Sequence, residues 1–413
     1  MALRVLHTAD WHIGQTLNGW SRAFEHEQFF KQLAELAREH EVDALVMAGD
    51  VFDNQNPSAD STRQFYEAIA ALQDQTPHFT SVITAGNHDP AGRLEAPGVL
   101  MDRVGAHVVG TVHRTGEGLD LDQHLVPLRT ADGTIHAHVL AIPFPRAADL
   151  PRVSEEGEPE GSVIVRAVRA LYQDAVSQAR ARIGDDPLIV TGHLHVWGAE
   201  ESEGAERRIL VGGEHAIPHS VFDENVAYVA LGHLHKPQRV GRDTIRYSGS
   251  PFPMSVTEQP YHHSVTLLEV ENGGLTYRQI PLERPVAFHR LGRGEEGLSL
   301  DALPAVLDEL ALDDTVPLDQ RPFVHVDLKP QVSGSGLRVE VDRLLENYPV
   351  RGAGISIVSP VTEGPEITEA AALVRLSDLE PEDLFKTAFA SVHGEEPEAA
   401  HLELFHRAAA EIE

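Results

Sequence analysis

The stretch that decides the fold is "DALVMAGDVFD", residues 43–53. Its apolar run "ALVMA" is short and carries no charge, which is typical of a β-strand that is buried on both faces. Gly49 permits a sharp turn after the strand, and the acidic residues Asp50 and Asp53 follow the turn. The stretch therefore predicts a buried strand that delivers carboxylates at its carboxyl end.

Four further stretches share this pattern of an apolar, β-branched run that ends in polar residues. They are "LRVLHTAD" (3–10), "TSVITAGNHD" (80–89), "PLIVTGHLH" (187–195) and "VAYVALGHLH" (226–235). Helical patterns such as "FEHEQFFKQLAELAREH" and "VIVRAVRALYQDAVSQARARI" lie between the strands. This alternation predicts a layered α/β domain with a largely buried sheet.

All five strand ends supply side chains that can bind metals. The candidates are Asp10, His12, Asp50, Asp53, Asn87, His88, Asp89, His193, His195, His233 and His235. Because open α/β sheets bind their ligands beyond the carboxyl ends of the strands, we expect these groups to converge on one edge. A single residue of this kind is more often a cap or a turn residue, but five coincident strand ends favour a functional site.

Histidine, aspartate and asparagine without cysteine form a mixed nitrogen and oxygen set, which suits Mn, Fe or Zn. The set is too large for one ion. One bridging carboxylate shared by two ions would give each ion about four protein ligands, with positions left for water and substrate. The sequence therefore predicts a two-metal site of the type that hydrolyses phosphate esters.

The composition narrows the class of protein further. The chain of 413 residues contains no cysteine, which excludes disulfides, zinc–thiolate sites and thiol nucleophiles. The net charge of −31 argues against extensive phosphate contacts, although part of the acidic excess is concentrated after residue 361. We see neither a secretion signal nor an apolar stretch of the roughly 18 residues that a membrane helix needs, so we expect a cytoplasmic protein.

The pattern along the chain predicts three parts. The alternating strands and a later antiparallel hairpin at residues 272–274 form a first domain, residues 1–283. A small α/β module with the order strand, helix, strand, helix, strand spans residues 284–360. Residues 361–413 form an acidic, helical tail that is too short for a core of its own and that we expect to dock on a partner.

In order and type, these motifs resemble the signature of the calcineurin-like metallophosphoesterase superfamily. The chain has D-x-H at residues 10–12, G-D-x-x-D at 49–53, G-N-H-D at 86–89, a lone histidine at 193 and G-H-x-H at 232–235. The resemblance implies a layered metallophosphoesterase β-sandwich flanked by helices. It also implies that one metal is held by Asp10, His12, Asp50 and His235, and a second by Asp50, Asn87, His193 and His233.

The resemblance implies roles for the remaining candidates as well. His88 would face the scissile phosphate and would stabilise the transition state or protonate the leaving oxygen. Asp89 would orient His88. Asp53 is either a ligand or a carboxylate behind the ligands. His195, the second histidine of the first "GHLH", matches no ligand position and is expected to matter far less than His193.

Nearly the whole chain resembles, more narrowly, the bacterial nuclease subunits of this superfamily. The resemblance implies Mn²⁺-dependent cleavage of DNA, with exonuclease action on duplex ends and endonuclease action on single strands and hairpins. It also implies homodimers and a partner ATPase with a long coiled coil. The chain has no G-x-x-x-x-G-K-[ST] stretch of its own, so nucleotide hydrolysis would have to come from that partner. The partner would bind the tail through Leu384, Phe385, Leu402, Leu404 and Phe405; the module, 284–360, would cap the site and help to hold DNA.

Three alternatives stay open at this point. The same metal core could serve a phosphomonoesterase or a cyclic-nucleotide phosphodiesterase, although such enzymes have little use for the module and the tail. The chain could be a non-catalytic scaffold, which the complete ligand set argues against. The tail could fold back on its own domain instead of binding a partner.

Overall fold

The structure is a computed structural model that describes residues 2–76, 78–116, 118–153, 162–202, 216–294, 297–329 and 336–358, together with residues 397, 401 and 402. Residues Met1–Val358 form one compact unit, and Ser359–Glu413 form a second. The predicted tail and nearly all of its apolar anchors lie outside the described residues. No helix in the described part of the chain has the length and apolar character to cross a membrane.

Strands dominate the first unit. They are β1 (Leu3–Thr8), β2 (Thr16–Leu17), β3 (Trp20–Ser21), β4 (Ala44–Ala48), β5 (Thr80–Thr84), β6 (Ala106–Val109), β7 (Arg114–Thr115), β8 (Gly118–Leu119), β9 (Leu125–Arg129), β10 (Ile135–Leu140), β11 (Leu188–His193), β12 (Tyr228–Gly232), β13 (Gln238–Val240), β14 (Arg242–Tyr247), β15 (Ser264–Glu271), β16 (Gly274–Pro281), β17 (Phe288–Leu291), β18 (Phe323–Leu328) and β19 (Arg351–Ile357). The α-helices are α1 (Ala23–Glu39), α2 (Ala59–Gln73), α3 (Ala91–Glu95), α4 (Gly98–Met101), α5 (Leu121–His124), α6 (Val163–Ile183), α7 (Leu303–Asp308) and α8 (Leu337–Leu345).

Two six-stranded sheets form the centre of this unit. Their strand orders are β16-β15-β1-β4-β5-β6 and β13-β14-β12-β11-β10-β9. β4 is parallel to β1 and to β5, and β11 is parallel to β12, as the alternation of strands and helices predicts. The predicted hairpin is confirmed, because β15 and β16 pair antiparallel with Glu271 opposite Gly274.

The two sheets pack face to face, and helices cover their outer faces. Along β4, Ala44 and Val46 lie in a core cluster that also contains Ile189 and Tyr228 of the second sheet. The alternate residues of β4 pack with Phe29 of α1, in a cluster to which α2 also contributes. Burial on both faces explains the uncharged "ALVMA" run. The predicted layered α/β sandwich flanked by helices is confirmed.

The stacking of parallel strands brings their carboxyl ends together. The backbone N–H of Asp10 donates to Gly49 O at 3.0 Å, which joins the loops after β1 and β4. The backbone N–H of His233, after β12, donates to Asp10 Oδ1 at 2.8 Å and so joins the second sheet to the first. The five predicted strand ends therefore meet at one edge of the sandwich.

The small module follows the predicted order of elements. β17, β18 and β19 form a parallel three-stranded sheet, and α7 and α8 pack on one face of it through an apolar cluster. Its last strand contacts the hairpin β2–β3, where Trp20 Nε1 donates to Gly352 O at 3.1 Å. The boundary between residues 283 and 284 stays a prediction.

Candidate metal centre

Four residues at the strand ends adopt a left-handed backbone conformation. The φ angles are 54° at Asp10, 48° at His12, 55° at Asp50 and 100° at His233. Each such residue costs about 1–3 kcal/mol and persists only where the surrounding structure imposes it. Here the buried strands β1, β4 and β12 impose it, and strain of this kind concentrates at functional sites.

The glycines that precede the candidate residues serve two purposes. Gly49 has a φ of 92° and makes the sharp turn that the sequence predicts. Gly86, Gly192 and Gly232, which also precede candidate residues, do not have a left-handed φ, so a turn of this kind explains only Gly49. A β-carbon at Gly86 would overlap the carboxylate of Asp50, and a β-carbon at Gly232 would overlap the backbone of β4. These positions need glycine because other groups of the site approach closely.

Asp10, His12 and His235 form the first group of potential metal ligands. One ligand atom from each lies within 4.8 Å of the others, and all three residues are buried. The two Nε2 atoms of His12 and His235 are 3.2 Å apart. Asp10 Oδ1 accepts the N–H of His233, whereas Asp10 Oδ2 is buried without a hydrogen-bond partner. A buried carboxylate oxygen without a hydrogen-bond partner is costly in a protein, and a bound cation would satisfy it.

Asp50, His193 and His233 form the second group, again with ligand atoms within 4.8 Å of one another. His193 Nε2 lies 3.0 Å from Asn87 Oδ1 and 3.2 Å from Asp50 Oδ2. The amide oxygen of Asn87 therefore faces the same point as the histidine nitrogen. The structure brings the predicted second set of ligands together.

Asp50 stands between the two groups. Its Oδ2 lies 3.7 Å from His12 Nε2 on one side and 3.2 Å from His193 Nε2 on the other. Its Oδ1 accepts the backbone N–H of His88 at 2.8 Å, which fixes the carboxylate plane. This is the position that a carboxylate bridging two ions would need.

The charges of the centre fit divalent cations. Burial raises the pKa of Asp10 to about 6. Burial also opposes ionisation of Asp50, but the facing histidines, His193 above all, hold its pKa well below the usual range. Burial lowers the pKa of His193 and the Asp50 carboxylate raises it, with a net rise to about 9, whereas burial holds the pKa of His233 well below normal. Divalent ions would replace the protons that this crowded set otherwise shares.

His88 lies next to both groups. Its ring is 4.8 Å from the ring of His12, and it forms a third potential ligand group with His12 and Asp50. Its Nδ1 is 2.7 Å from the carbonyl oxygen of Asp53, so Nδ1 carries a proton, because a carbonyl only accepts. The hydrogen bond fixes the tautomer and the orientation of the ring.

The structure corrects the role predicted for Asp89. Its carboxylate accepts the backbone N–H groups of Gly86 at 2.7 Å, Phe52 at 2.8 Å and Val51 at 3.1 Å. Asp89 thus ties the loops after β4 and β5 together rather than holding the His88 ring. A local motif such as G-N-H-D does not reveal this, because two of the three donors, the N–H groups of Val51 and Phe52, lie on the loop after β4.

Two polar side chains that support the site were missed by sequence reasoning. Glu258 is fully buried, and its Oε1 lies 2.8 Å from Nδ1 of His235. Gln55 Nε2 donates to the carbonyl oxygens of the G-N-H-D loop, at 2.7 Å to Asp89 and 2.8 Å to His88. Neither residue belongs to a recognisable motif. The only sequence feature that points to Gln55 is its position two residues after Asp53.

The two uncertain candidates are now placed. Asp53 Oδ1 lies 3.5 Å from Nδ1 of His12, the ring nitrogen turned away from His235, so it stands behind a candidate ligand. His195 Nδ1 lies 3.2 Å from Glu201 Oε1 and belongs to none of the three groups found among the described residues. The sequence-based distinction between His193 and His195 agrees with this placement.

Two packed sheets with histidine, aspartate and asparagine at converging strand ends are typical of a metal-dependent phosphoesterase. The family described as "Calcineurin-like phosphoesterase" matches residues 3–237, more than half of the chain. A second family, "Type 5 capsule protein repressor C-terminal domain", matches residues 287–393. The chain therefore carries the phosphoesterase domain followed by a second recognisable domain.

Relatives that match two thirds of the chain or more narrow the family. The chain is 47% identical over 389 residues to SbcD, the D component of the nuclease SbcCD, of Rhodobacter capsulatus, with 94% of each chain covered. The protein of the same name from Bacillus subtilis is 32% identical over 100% of this chain and 99% of its own, and that of Escherichia coli K12 is 34% identical over 69% and 70%. The chain belongs to the SbcD family of nuclease subunits. It is a metal-dependent phosphodiesterase.

Proposed function

We propose that the chain is a Mn²⁺-dependent DNA nuclease that acts as a 3′–5′ exonuclease on duplex ends and as an endonuclease on single strands and hairpins. It would act with an SbcC-type ATPase in DNA repair, recombination and replication, and therefore in the cytoplasm, where bacterial DNA is found. The position of Asp50 Oδ2 between His12 Nε2 and His193 Nε2, in a chain similar to named nuclease subunits, carries this proposal.

The proposed ligand sets follow the two groups of side chains. Asp10, His12, Asp50 and His235 would hold one ion, and Asp50, Asn87, His193 and His233 the other, with Asp50 shared. Bound divalent ions activate water and stabilise charge on the phosphate. Mn²⁺ suits the mixture of imidazole and oxygen donors.

His88 is the proposed catalytic residue. It is 8% exposed, and the carbonyl of Asp53 keeps the proton on Nδ1. We infer that His88 in its protonated form donates a proton to the leaving oxygen, or a hydrogen bond to the phosphate in the transition state. Asp50 helps to hold it in place by accepting its backbone N–H.

The three-part organisation belongs to the same proposal. Residues 1–283 would be the nuclease domain, 284–360 a small α/β capping and DNA-binding domain, and 361–413 the segment that binds an SbcC-type ATPase. ATP would be bound by that partner. The relatives are named as subunits of a complex, which supports a dedicated binding segment.

A homodimer, and a heterotetramer with the partner, completes the proposal. Val99, Leu100 and Val104 are 76%, 70% and 52% exposed, and they lie on α4 and the turn that follows it. Three large apolar side chains in one short segment are typical of an interaction surface. Leu100→Glu is expected to convert a dimer of the full chain into a monomer, as measured by sedimentation.

The decisive experiment compares substrates and metals. The full-length chain with Mn²⁺ should cut a DNA hairpin and linear duplex DNA, chelation should abolish cutting, and metal analysis should find two ions per chain. His88→Ala should keep both ions but lose cleavage. Strong turnover of p-nitrophenyl phosphate without DNA cleavage would instead establish the phosphomonoesterase alternative. Cleavage by His88→Ala at the normal rate would refute the role of His88.

A further inference from the structure

The chain has a net charge of −31, so DNA can bind near the metal centre only where positive side chains are available for its phosphates. Many of its arginines face a carboxylate, as Arg63 faces Asp60 at 2.7 Å and Arg182 faces Asp122 at 2.6 Å. The positive charge of a paired arginine is largely neutralised by its carboxylate partner, so this arginine attracts a phosphate less strongly. Arginines without a carboxylate partner near the metal centre are therefore the informative ones.

Arg146 is such a residue. It follows β10, and its guanidinium donates to backbone oxygens, from Nη1 to Gly110 at 3.3 Å and from Nη2 to Asp89 at 3.5 Å. Among the residues that the structure describes, no carboxylate lies within 4.0 Å of this guanidinium. Asp149 bonds only to the backbone N–H of Arg146, at 2.9 Å. The cation is half-buried and therefore partly desolvated without a counter-charge.

The segment that carries Arg146 is fixed to the metal centre. The N–H of Phe144 donates to Ala85 O, at the end of β5, at 2.8 Å. The Phe144 ring lies edge-on to the ring of His193, with centroids 6.3 Å apart, and the Arg146 guanidinium lies 5.9 Å from the Phe144 centroid. Arg146 therefore contacts the residue after His88 from a rigid support.

Arg93 extends this positive region. It lies in α3, four residues after Asp89, and is exposed. Its Nη1 donates to the Asn56 side-chain oxygen at 2.7 Å, a neutral acceptor that leaves the charge uncompensated. Within the described part of the chain no carboxylate lies within 4.0 Å of it either. We call Arg93 and Arg146 together the arginine lip.

We propose that the arginine lip binds backbone phosphates of DNA that flank the scissile phosphate. Guanidinium groups suit this task, because they form charge-assisted hydrogen bonds with phosphate oxygens. Two cations beside the G-N-H-D loop would place a strand across His88 in spite of the acidic surface elsewhere. This inference rests on the proposed nuclease function and adds where the polynucleotide lies.

The test uses the full-length chain with Mn²⁺, a fluorescent DNA hairpin and bis(p-nitrophenyl) phosphate. Arg146→Ala and Arg93→Ala should each raise KM for the hairpin about tenfold while kcat stays near the wild-type value. Each should reduce the slope of log KM against log salt by about one, the contribution of one phosphate contact. Turnover of bis(p-nitrophenyl) phosphate should not change, because it has no flanking phosphates.

Two further variants separate charge from structure. Arg146→Lys should keep the salt slope, whereas Arg146→Gln, which can still donate to a backbone oxygen, should lose as much of it as Arg146→Ala. Arg182→Ala removes an arginine that is paired with Asp122 and should leave every value unchanged.

The outcomes are distinguishable. If the wild-type chain does not cut DNA at all, the proposed nuclease function fails. If it cuts DNA and the lip variants keep KM and the salt slope, only the arginine lip is refuted. A parallel loss of bis(p-nitrophenyl) phosphate turnover would also overturn it, because Arg146 would then act on the scissile phosphate or on the loop that carries His88.

Discussion

At the scale of single residues, two histidines of the centre are oriented through the ring nitrogen that faces away from it. His193 Nδ1 is 2.9 Å from Ala48 O, and His235 Nδ1 is 2.8 Å from Glu258 Oε1. The carbonyl or carboxylate holds the proton on Nδ1 and leaves Nε2 to bind a metal. Orientation of this kind raises the basicity of the ligand nitrogen as well as fixing its direction.

Glu258→Gln should therefore weaken metal binding without removing a ligand. The amide cannot supply the negative charge that supports His235, so the affinity for Mn²⁺ should fall by about 10- to 100-fold. Calorimetric titration of the metal-free protein with Mn²⁺ measures this change. Cleavage should recover when the Mn²⁺ concentration is raised.

The chain offers a matched control in Glu201→Gln. Glu201 pairs with His195 at 3.2 Å in a similar way, but His195 is outside the proposed ligand sets. Mn²⁺ affinity and cleavage should stay within roughly twofold of the wild type, since an ion pair whose carboxylate is open to solvent contributes little. Equal losses in the two variants would show that His195 takes part in the centre.

Sequence patterns find the residues at strand ends more readily than those that support them. Asp50 and His193 follow apolar strands in recognisable motifs, so their convergence could be predicted. Glu258 and Arg146 act through contacts with residues more than twenty positions away in the chain. No local period or spacing encodes such contacts, and a buried carboxylate looks like any surface one in a single sequence.

At the scale of elements, the centre depends on how closely the loops after β4 and β5 approach. β4 and β5 pair in parallel, with Ala48 opposite Thr84, so their following loops leave the sheet side by side. A β-carbon at Gly86 would overlap both the carboxylate and the backbone nitrogen of Asp50. The loop spacing, and with it the position of Asp50, therefore requires a residue without a side chain.

Gly86→Ala is expected to displace Asp50 and to abolish binding of at least one of the two proposed ions. Because the obstacle includes backbone, relaxation is costly, and we expect destabilisation of about 1–3 kcal/mol, the range for overpacking. Urea unfolding and metal analysis measure the two effects. The control Gly92→Ala lies in α3 with open space around its β-carbon and should change stability by no more than about 1 kcal/mol, with both ions retained.

The small module is joined to the nuclease sheets by a buried cluster of charges. Glu25 of α1 binds Arg22 through both oxygens, at 2.5 and 2.6 Å, and lies 3.9 Å from Arg351 of β19. The Arg351 guanidinium stacks on Phe323 at 3.8 Å. All three charged side chains are about 99% buried, so one carboxylate balances two guanidinium groups.

Glu25→Gln should leave two buried cations without a counter-charge. Removal of one partner from a buried ion pair costs about 3–5 kcal/mol, and we expect a loss in this range in urea unfolding. Glu27→Gln is the control on the same helix, since it breaks an exposed pair with Lys31 and should cost less than about 1 kcal/mol. Equal, small losses would show that the cluster does not hold the module.

At the scale of the whole molecule, long-range strand pairing is what the sequence leaves undetermined. β15 pairs with β1, so that Leu3 lies opposite Val270, and this pairing adds an antiparallel edge to a parallel sheet. Periodicity identifies β15 as a strand but gives it no neighbour, because register depends on contacts across the chain. The local hairpin β15–β16 could be predicted, since its turn is encoded in consecutive residues.

Three buried histidines outside the proposed ligand sets contribute to the response of the fold to acid. Burial lowers the pKa of His7 to about 3, and it lowers those of His26 and His124 to about 4, from an ordinary value of 6.5. Below pH 6.5 the unfolded chain binds protons that the folded chain refuses. The stability that depends on these three histidines is therefore complete above pH 6.5 and falls as the pH drops towards 4, by about 1.4 kcal/mol per pH unit for each histidine.

His124→Asn should flatten this dependence by about 1.4 kcal/mol per pH unit between pH 6 and pH 5. The absolute stability at pH 7.5 should also fall, because the variant perturbs the hydrogen bonds of His124 to Ala141 O and from the N–H of His113. Urea unfolding at several pH values, with a chelator present so that metal release does not contribute, measures both. His262→Asn changes an exposed histidine and should leave the slope as it is. An unchanged slope in His124→Asn would mean that His124 remains able to bind a proton within the folded chain.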